Sequence, residues 1–487
     1  GYDRNTSALQ TMAQGAADAN SDLAKNYWKA FYAGIAKCNY LLQNMSRGED
    51  NVAPATYAQI KAEAQFLRAL YYSYLIELYG DVPLITDVLT LETGQQPRTP
   101  KSEVVDFILK EYTEAAENLP STNNPTSGRA TKGAALALKA RTALYNERWQ
   151  DAISASQAVI AMEGTEYIIE DDYSKLFKYE GQTSKEVIFS VQYLLGTKVH
   201  ALYRLFGSRN ALAHTNKKPA YQLADTWECI DGKQIDKSPM FDPKHPYENR
   251  DPRLGYTLAV SGSEFLGFQF ETHGDSTKCW NYMTNQRVDN LEATHAYATF
   301  TGICWRKYAN IEDKDALNDC DMNTILIRYP EVLLTYAEAK IKAGEIDASV
   351  LEAINKVRQR PSVKMPPITT TDPNELFYAV ARERKYEFSG EGLRLFDIRR
   401  WKIAETVMNQ PLLGRMKKSY PDKAPRIDEW GTAFYEGIPI AESGESADFK
   451  MRVVDIRKFD KNRDYLWPIP YIERQTNPNL TQNPNYE

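Results

Sequence analysis

Toward both ends of the chain, apolar side chains recur at steps of three and four, the spacing of a helix with one buried face. Trp28, Phe31, Tyr32, Ile35 and Leu42 keep that step through 26–44, and Ile60, Ala64, Leu67, Tyr71, Tyr74 and Leu78 keep it through 56–79. The second run ends on Gly80, a residue able to take the left-handed C′ conformation. Pro83 follows, and it cannot continue a helix because it lacks an N–H and clashes with the preceding turn. A third helix is predicted over 102–118, with Ser102 as N-cap and Pro120 just beyond its stop. The fourth, over 131–146, carries Ala134, Ala135, Ala137, Ala140 and Ala143, side chains small enough to let two helix axes approach closely. A fifth, over 149–162, turns Trp149, Ala152, Ile153 and Ile160 inward. The pattern returns at 329–343, closed by Gly344, and again at 347–360, 374–388 and 393–401.

Helix pairs with short turns and alanine-rich contact faces are similar to tetratricopeptide (TPR) units. The strict repeat signature is absent, so the pairs are TPR-like and divergent. They fall into two blocks, about 20–165 and 324–402. Between them, about 166–323 has a different texture. Val187-Ile188-Phe189-Ser190-Val191-Gln192-Tyr193 is a good strand candidate. The rest is irregular and rich in Gly, Asn, His, Thr and aromatic residues, and loops of this length in a folded protein usually carry function. A second irregular region covers 403–487. Residues 1–487 read as a single, mainly α domain in which a helical scaffold carries a loop-rich lobe with minor β structure.

Composition narrows the function classes. At 487 residues the chain is long enough for a large core, and 43% hydrophobic with 25% charged residues is ordinary globular usage. The unusual count is 31 Tyr beside 8 Trp and 17 Phe, rings with polar tips that suit helix seams and half-exposed surfaces touching polar ligands. A net charge of -6, with both signs mixed along the chain, argues against nucleic acid, which calls for a basic face. No apolar run approaches the ~20 residues that cross a bilayer. No signal peptide is present, and Gly1 opens a polar segment, so a trimmed mature form is expected, from which a lipid anchor would also have been removed. Cys38, Cys229, Cys279, Cys304 and Cys320 are dispersed, with no C-x-x-C spacing, and are expected to be buried thiols.

The candidate chemistry has mostly structural readings. Glu383 and Glu387 lie one turn apart and could form a hydrolytic carboxylate pair. Arg382, Arg384 and Lys385 beside them favour an ion-paired helix face instead. Glu391, Arg394, Asp397 and Arg400 continue the alternation as a packing and salt-bridge network, and Glu63 and Arg68 are expected to hold the helical block together. His200, His214, His245, His273 and His295 are never spaced as a metal pair. There is no H-E-x-x-H, phosphate-binding glycine loop or G-x-S-x-G. Glu312, Asp313, Asp315, Asp319 and Asp321 could hold calcium through oxygen ligands. They lack the loop glycine and terminal glutamate of an EF-hand and read better as a solvated turn. No catalytic residue, metal or cofactor is expected.

Four segments, taken together, resemble the SusD/RagB family. The first is Ala62-Glu63-Ala64-Gln65-Phe66-Leu67-Arg68-Ala69-Leu70-Tyr71-Tyr72, running on to Gly80-Asp81-Val82-Pro83-Leu84. The second is Arg328-Tyr329-Pro330-Glu331-Val332-Leu333-Leu334 with Tyr336-Ala337-Glu338-Ala339-Lys340. The third is Glu383-Arg384 and Glu387, then Glu391-Gly392-Leu393-Arg394, Asp397 and Arg400-Trp401. The fourth is Leu466-Trp467-Pro468-Ile469-Pro470 with Glu473, Asn477-Pro478 and Gln482-Asn483-Pro484. Weaker matches are the segment from Ser184 to Val191 and Asp251-Pro252-Arg253. All come in the family's order across nearly the whole chain. The start departs from the family, since its usual signal peptide and lipid-bearing cysteine are missing. The resemblance implies a SusD-like fold and a cell-surface outer-membrane lipoprotein that binds a polysaccharide or oligosaccharide, or less often peptides. It also implies a partner, a SusC-like TonB-dependent channel that the binding protein caps.

A sugar presents C–H faces rimmed by hydroxyls, so its site needs exposed rings and a few orienting polar groups, with no transition state to stabilise. Two clusters in the lobe fit. In Lys278-Cys279-Trp280-Asn281-Tyr282, Trp280 and Tyr282 share a face if the segment is extended. Asn281 lies between them, and His273 and Asp275 lie just upstream. The other cluster is Tyr203 and Phe206 with Ser208, Arg209 and Asn210. Trp305 reads as a strand residue and Trp467 as part of a structural motif. Two alternatives stay open: a peptide-binding member of the same family, and a TPR-like interaction module with no small ligand of its own. The second would pack both clusters inward.

Overall fold

The first helical block runs Asp22–Asn44, Pro54–Tyr79, Lys101–Asn118, Lys132–Tyr145 and Trp149–Ile160, in a computed structural model that describes residues 2–3 and 7–486. The second block is Tyr329–Ala343, Ala348–Arg358, Pro373–Phe388 and Arg394–Arg400. Trp149–Ile160 and Lys132–Tyr145 both pack on Tyr329–Ala343, so two blocks far apart in sequence share one core around Phe66, Tyr72, Ile108, Leu138, Leu334 and Ile354. The five alanines of Lys132–Tyr145 are all buried, as expected of a helix enclosed by close neighbours.

Local chemistry sets the helix ends. Thr131 caps Lys132–Tyr145 by accepting the Ala134 N–H at 3.2 Å, and Asp347 and Asp372 do the same for the two helices that follow them. Ser102 is not a cap: it lies inside Lys101–Asn118, whose first N–H, that of Lys101, donates to the Asp81 carboxylate at 2.8 Å. Gly344 ends its helix in the left-handed conformation. Gly80 has positive φ (74°) but ψ of -122°, outside the left-handed helical region, and a Cβ there would lie 2.9 Å from Leu466 Cδ1.

The Pro54–Tyr79 helix corrects the expected face. Ala64 and Leu78 are buried, but Ile60, Leu67, Tyr71 and Tyr74 are only half-buried, while Ala62, Phe66, Ala69, Tyr72 and Ile76 line the core. Arg68 is buried with them because Glu111 receives it through two bonds, Nε at 2.7 Å and Nη2 at 2.9 Å. Glu63 receives Arg129 in the same way.

The central segment leaves the scaffold on Val187–Val191 and returns on Thr324–Arg328. These strands pair antiparallel, with Val191 opposite Thr324 and Val187 opposite Arg328. A buried ionic network binds the segment to the second block. Arg253 donates to Asp251, Glu383 and Glu387, and Arg328 donates to Glu186, Glu387 and Glu391. Arg360 reaches Glu387, Arg358 joins Glu228 to Glu383, and Lys307 meets Glu391. Burial alone would raise the Glu387 pKa, but Arg360, Arg328 and Arg253 hold it well below the carboxylate range. Burial pushes the Lys307 ammonium down to about 8. Glu383 and Glu387 are thus the ion-paired face expected from their neighbours. Glu338, Arg384, Asp397 and Arg400 form a second such cluster.

The last segment closes the open end of Pro54–Tyr79. The Trp467 N–H donates to Leu78 O at 2.7 Å, and the Asn483 amide donates to Tyr79 O and Trp467 O while accepting from Arg98. All five cysteines are buried and unpaired. Among the described residues no helix is long and apolar enough to cross a membrane.

Candidate functional site

Within the central segment Lys278–Asn281 and Gln286–Asp289 form a hairpin, extended by Phe268–Gln269 and Glu264–Phe265 into a four-stranded sheet. The period-two alternation decides which side chains face out. Cys279 and Asn281 are buried, Trp280 is half-buried, and Tyr282 is 46% exposed. Trp280 therefore takes the outer side of the strand, and Tyr282 follows in the turn beyond it. The sheet fixes them through their backbone: the Trp280 N–H donates to Gln269 Oε1 at 3.2 Å and the Tyr282 N–H to Gly267 O at 2.9 Å. Asn281 is buried. Its Oδ1 accepts the N–H groups of Met283 and Thr284 and closes the hairpin turn.

The other candidates are placed differently. Tyr203 has no exposed surface and donates its hydroxyl to Ala211 O at 3.0 Å, so it plugs a small core rather than offering a platform. Phe206 is half-buried against the same core. Asn210 is a brace: its Nδ2 donates to Asp289 O at 2.7 Å and its Oδ1 accepts the Leu291 N–H at 3.0 Å. His273 is half-buried and holds a turn, donating its N–H to Glu271 at 2.7 Å and accepting the Asp275 N–H at Nδ1. Asp275 pairs with Lys418 at 2.9 Å. Trp305 stands in the short strand Cys304–Trp305, and Trp467 is buried.

Thr272 and Gly274, the neighbours of His273, form one wall of a cavity of about 520 Å³. Its other walls come from 292–302, 415–418 and 448–452. Glu292 anchors the loop over it by accepting the N–H groups of Arg209 at 2.5 Å and Thr299 at 3.2 Å. Burial raises the Glu292 pKa. Tyr297, between the lining residues Ala296 and Ala298, is 50% exposed, and its ring lies 5.6 Å from that of His295 and 6.0 Å from the Arg209 guanidinium. Arg415 and Lys417 also line the cavity. None of Tyr297, Arg415 or Lys417 was selected from the sequence, although Arg415-Met416-Lys417-Lys418 is a concentrated basic run in a chain of negative net charge.

This site offers rings and hydrogen-bonding groups without a reactive pair. Of the two carboxylates lining the cavity, Glu292 is spent on backbone amides and Asp448 lies 3.7 Å from Lys418. In the acidic run, Asp313 accepts the Tyr179 hydroxyl at 2.7 Å. Among the described residues no three His, Cys, Asp or Glu side chains are grouped to hold a metal ion.

A TPR-like helical frame here holds a loop-built cavity whose two lining carboxylates are engaged, Glu292 by backbone N–H groups and Asp448 by Lys418. Comparison with known proteins is specific. The SusD family's sequence pattern matches residues 185–486, and a pattern described as starch-binding associating with outer membrane matches residues 3–144. The chain belongs to the SusD family. A SusD-like carbohydrate binding protein from Bacteroides fragilis superposes with a TM-score of 0.82 at 31% identity, over 98% of this chain and 90% of that one. A second SusD-like protein from that organism gives 0.78 at 26%, over 98% and 89%. The SusD-like protein P2 of Formosa agariphila is 25% identical over 96% of this chain and 81% of its own length. The family is one of outer-membrane-associated proteins that bind glycans and work with SusC-type transporters.

Proposed function

We propose that this protein captures a polysaccharide or oligosaccharide at the outer surface of the outer membrane, where a lipid anchor holds it. It passes the captured glycan to a SusC-like TonB-dependent transporter without altering it. One observation carries the reading: half-buried Trp280 on the outer side of its strand and exposed Tyr282 in the adjoining turn belong to a hairpin whose backbone is pinned by neighbouring segments. Rings held this way stack on sugar faces at little entropic cost. The description of the 31% identical relative as a carbohydrate binding protein supports the same reading. Affinity electrophoresis through gels containing different polysaccharides tests it. Trp280→Ala should lose retention on the recognised glycan by about 2 kcal/mol, or roughly 30-fold, with an unchanged melting temperature. Full retention by the variant would move the site elsewhere.

A further inference from the structure

Among the described residues the cavity beneath the 292–302 loop is lined by Arg415, Lys417 and Lys418, with Arg452 over the Phe300 ring at 4.3 Å, and by two carboxylates, Glu292 and Asp448. In a chain of net charge -6 this is a local reversal of sign. Arg415 is the most constrained of the four. It is 4% exposed, and its guanidinium lies over the Tyr420 ring at 4.5 Å. Its Nε donates to Met416 O at 2.9 Å, and its Nη1 donates to Ser261 Oγ at 2.9 Å and Thr272 Oγ1 at 3.0 Å. All of these acceptors are neutral. The nearest carboxylate, Glu271, is 3.9 Å from Nη1, and its Oε1 already accepts the Ser261 hydroxyl and the His273 N–H. Nη2 is buried and has no hydrogen-bond partner among the described residues. A buried cation whose hydrogen-bond acceptors are neutral, whose one carboxylate is 3.9 Å away and shared, and which keeps a spare donor, is stabilised when an anion completes it. The exposed Lys417 has no carboxylate within ion-pair distance among the described residues, whereas Lys418 is held by Asp275 and Asp448.

We infer that this cavity takes an acidic glycan, one bearing carboxylate or sulfate groups, with Arg415 and Lys417 as its charged donors. The inference rests on the glycan-binding reading above and narrows it to a substrate class. Tyr297, between two lining residues, supplies a ring for the sugar face, while the fixed guanidinium selects the charged substituent.

Affinity gels of alginate, polygalacturonate and a sulfated carrageenan, each run beside its carboxyl-reduced or desulfated counterpart, test the inference with the full chain. Retention is expected on an acidic gel and not on its neutral counterpart, and it should weaken as ionic strength rises. The uronate and sulfate arms identify which anion is bound. Lys417→Gln removes a side chain with no structural bond and should weaken retention about fivefold, the upper range for an exposed charge. Arg415→Gln should abolish it. Because Arg415 also braces the fold, its melting temperature is measured alongside, and Lys417→Gln decides the case if Arg415→Gln fails to fold. Equal retention of acidic and neutral forms, or of wild type and Lys417→Gln, overturns the acidic assignment while leaving glycan capture standing. Retention on none of these gels, with binding to neutral glycans elsewhere, also overturns it. No retention on any glycan removes the reading on which it rests.

Discussion

Glu387→Gln removes one negative charge and changes almost nothing in shape. Glu387 has no exposed surface and accepts Arg328 at 2.5 Å, Arg360 at 2.7 Å and Arg253 at 3.0 Å. The amide would leave three buried guanidinium groups short of a counter-charge and would turn an N–H₂ toward at least one of them. Removing one member of a buried ionic cluster costs about 3–5 kcal/mol. At about 2.1 cal/mol/K per residue, a chain of this length has an unfolding entropy near 1 kcal/mol/K, so the melting temperature should fall by roughly 3–5 °C in calorimetry. Lys450→Met is the contrasting change. Among the described residues Lys450 pairs with the exposed Glu445 alone, and less than about 1 kcal/mol should be lost. The pH dependence has a definite sign. The Glu387 pKa is depressed in the folded state, so its contribution is complete above the unfolded carboxylate value, near 4.3. That contribution is lost as pH falls below this value, and the gap between wild type and variant should shrink on acidification. A loss at neutral pH no larger than that of Lys450→Met would refute the view that this network fastens the central segment to the scaffold.

Two further substitutions probe the frame. Gly80→Ala should destabilise by roughly 2 kcal/mol in urea unfolding, because φ of 74° strains an alanine and its Cβ meets Leu466. Recovery in a Leu466→Ala background should be only partial, since the backbone strain remains. Asp347→Ala removes the N-cap of Ala348–Arg358 and should cost about 1 kcal/mol at pH 7. Lys340 and Ser349 hold the Asp347 carboxylate down to about 2, so the cap is fully effective above pH 4. Its effect should fade as pH drops toward 2, with the two proteins converging in acid unfolding.

The helical blocks were legible because their amphipathic period is carried by many residues; side-chain caps mark only three of their starts, at Thr131, Asp347 and Asp372. The face of Pro54–Tyr79 was not legible, because that helix is enclosed on most sides. Gln65 and Arg68 are polar in sequence, yet buried through bonds to Glu111 and Glu114. Periodicity treats a buried arginine as surface, and only the partner on another helix reveals otherwise. The candidate site divides the same way. Alternation within one strand placed Trp280 on the outer side, a local property, while Tyr282 is exposed in the turn that follows. Whether Tyr203 was a plug or a platform depended on Ala211 and the residues packed behind it, which no short window shows. The cavity was illegible because its walls come from 272–302 and 415–452. Its charge excess exists only once the fold brings the two together.

The central claim is that the site holds its ligand and leaves every bond in it intact. Prolonged incubation of the purified protein with the polysaccharide that retards it, followed by reducing-end assay and size-exclusion analysis of the sugar, tests this directly. The account predicts an unchanged size profile and no reducing ends above the protein-free control. New reducing ends that rise in proportion to protein concentration would contradict it.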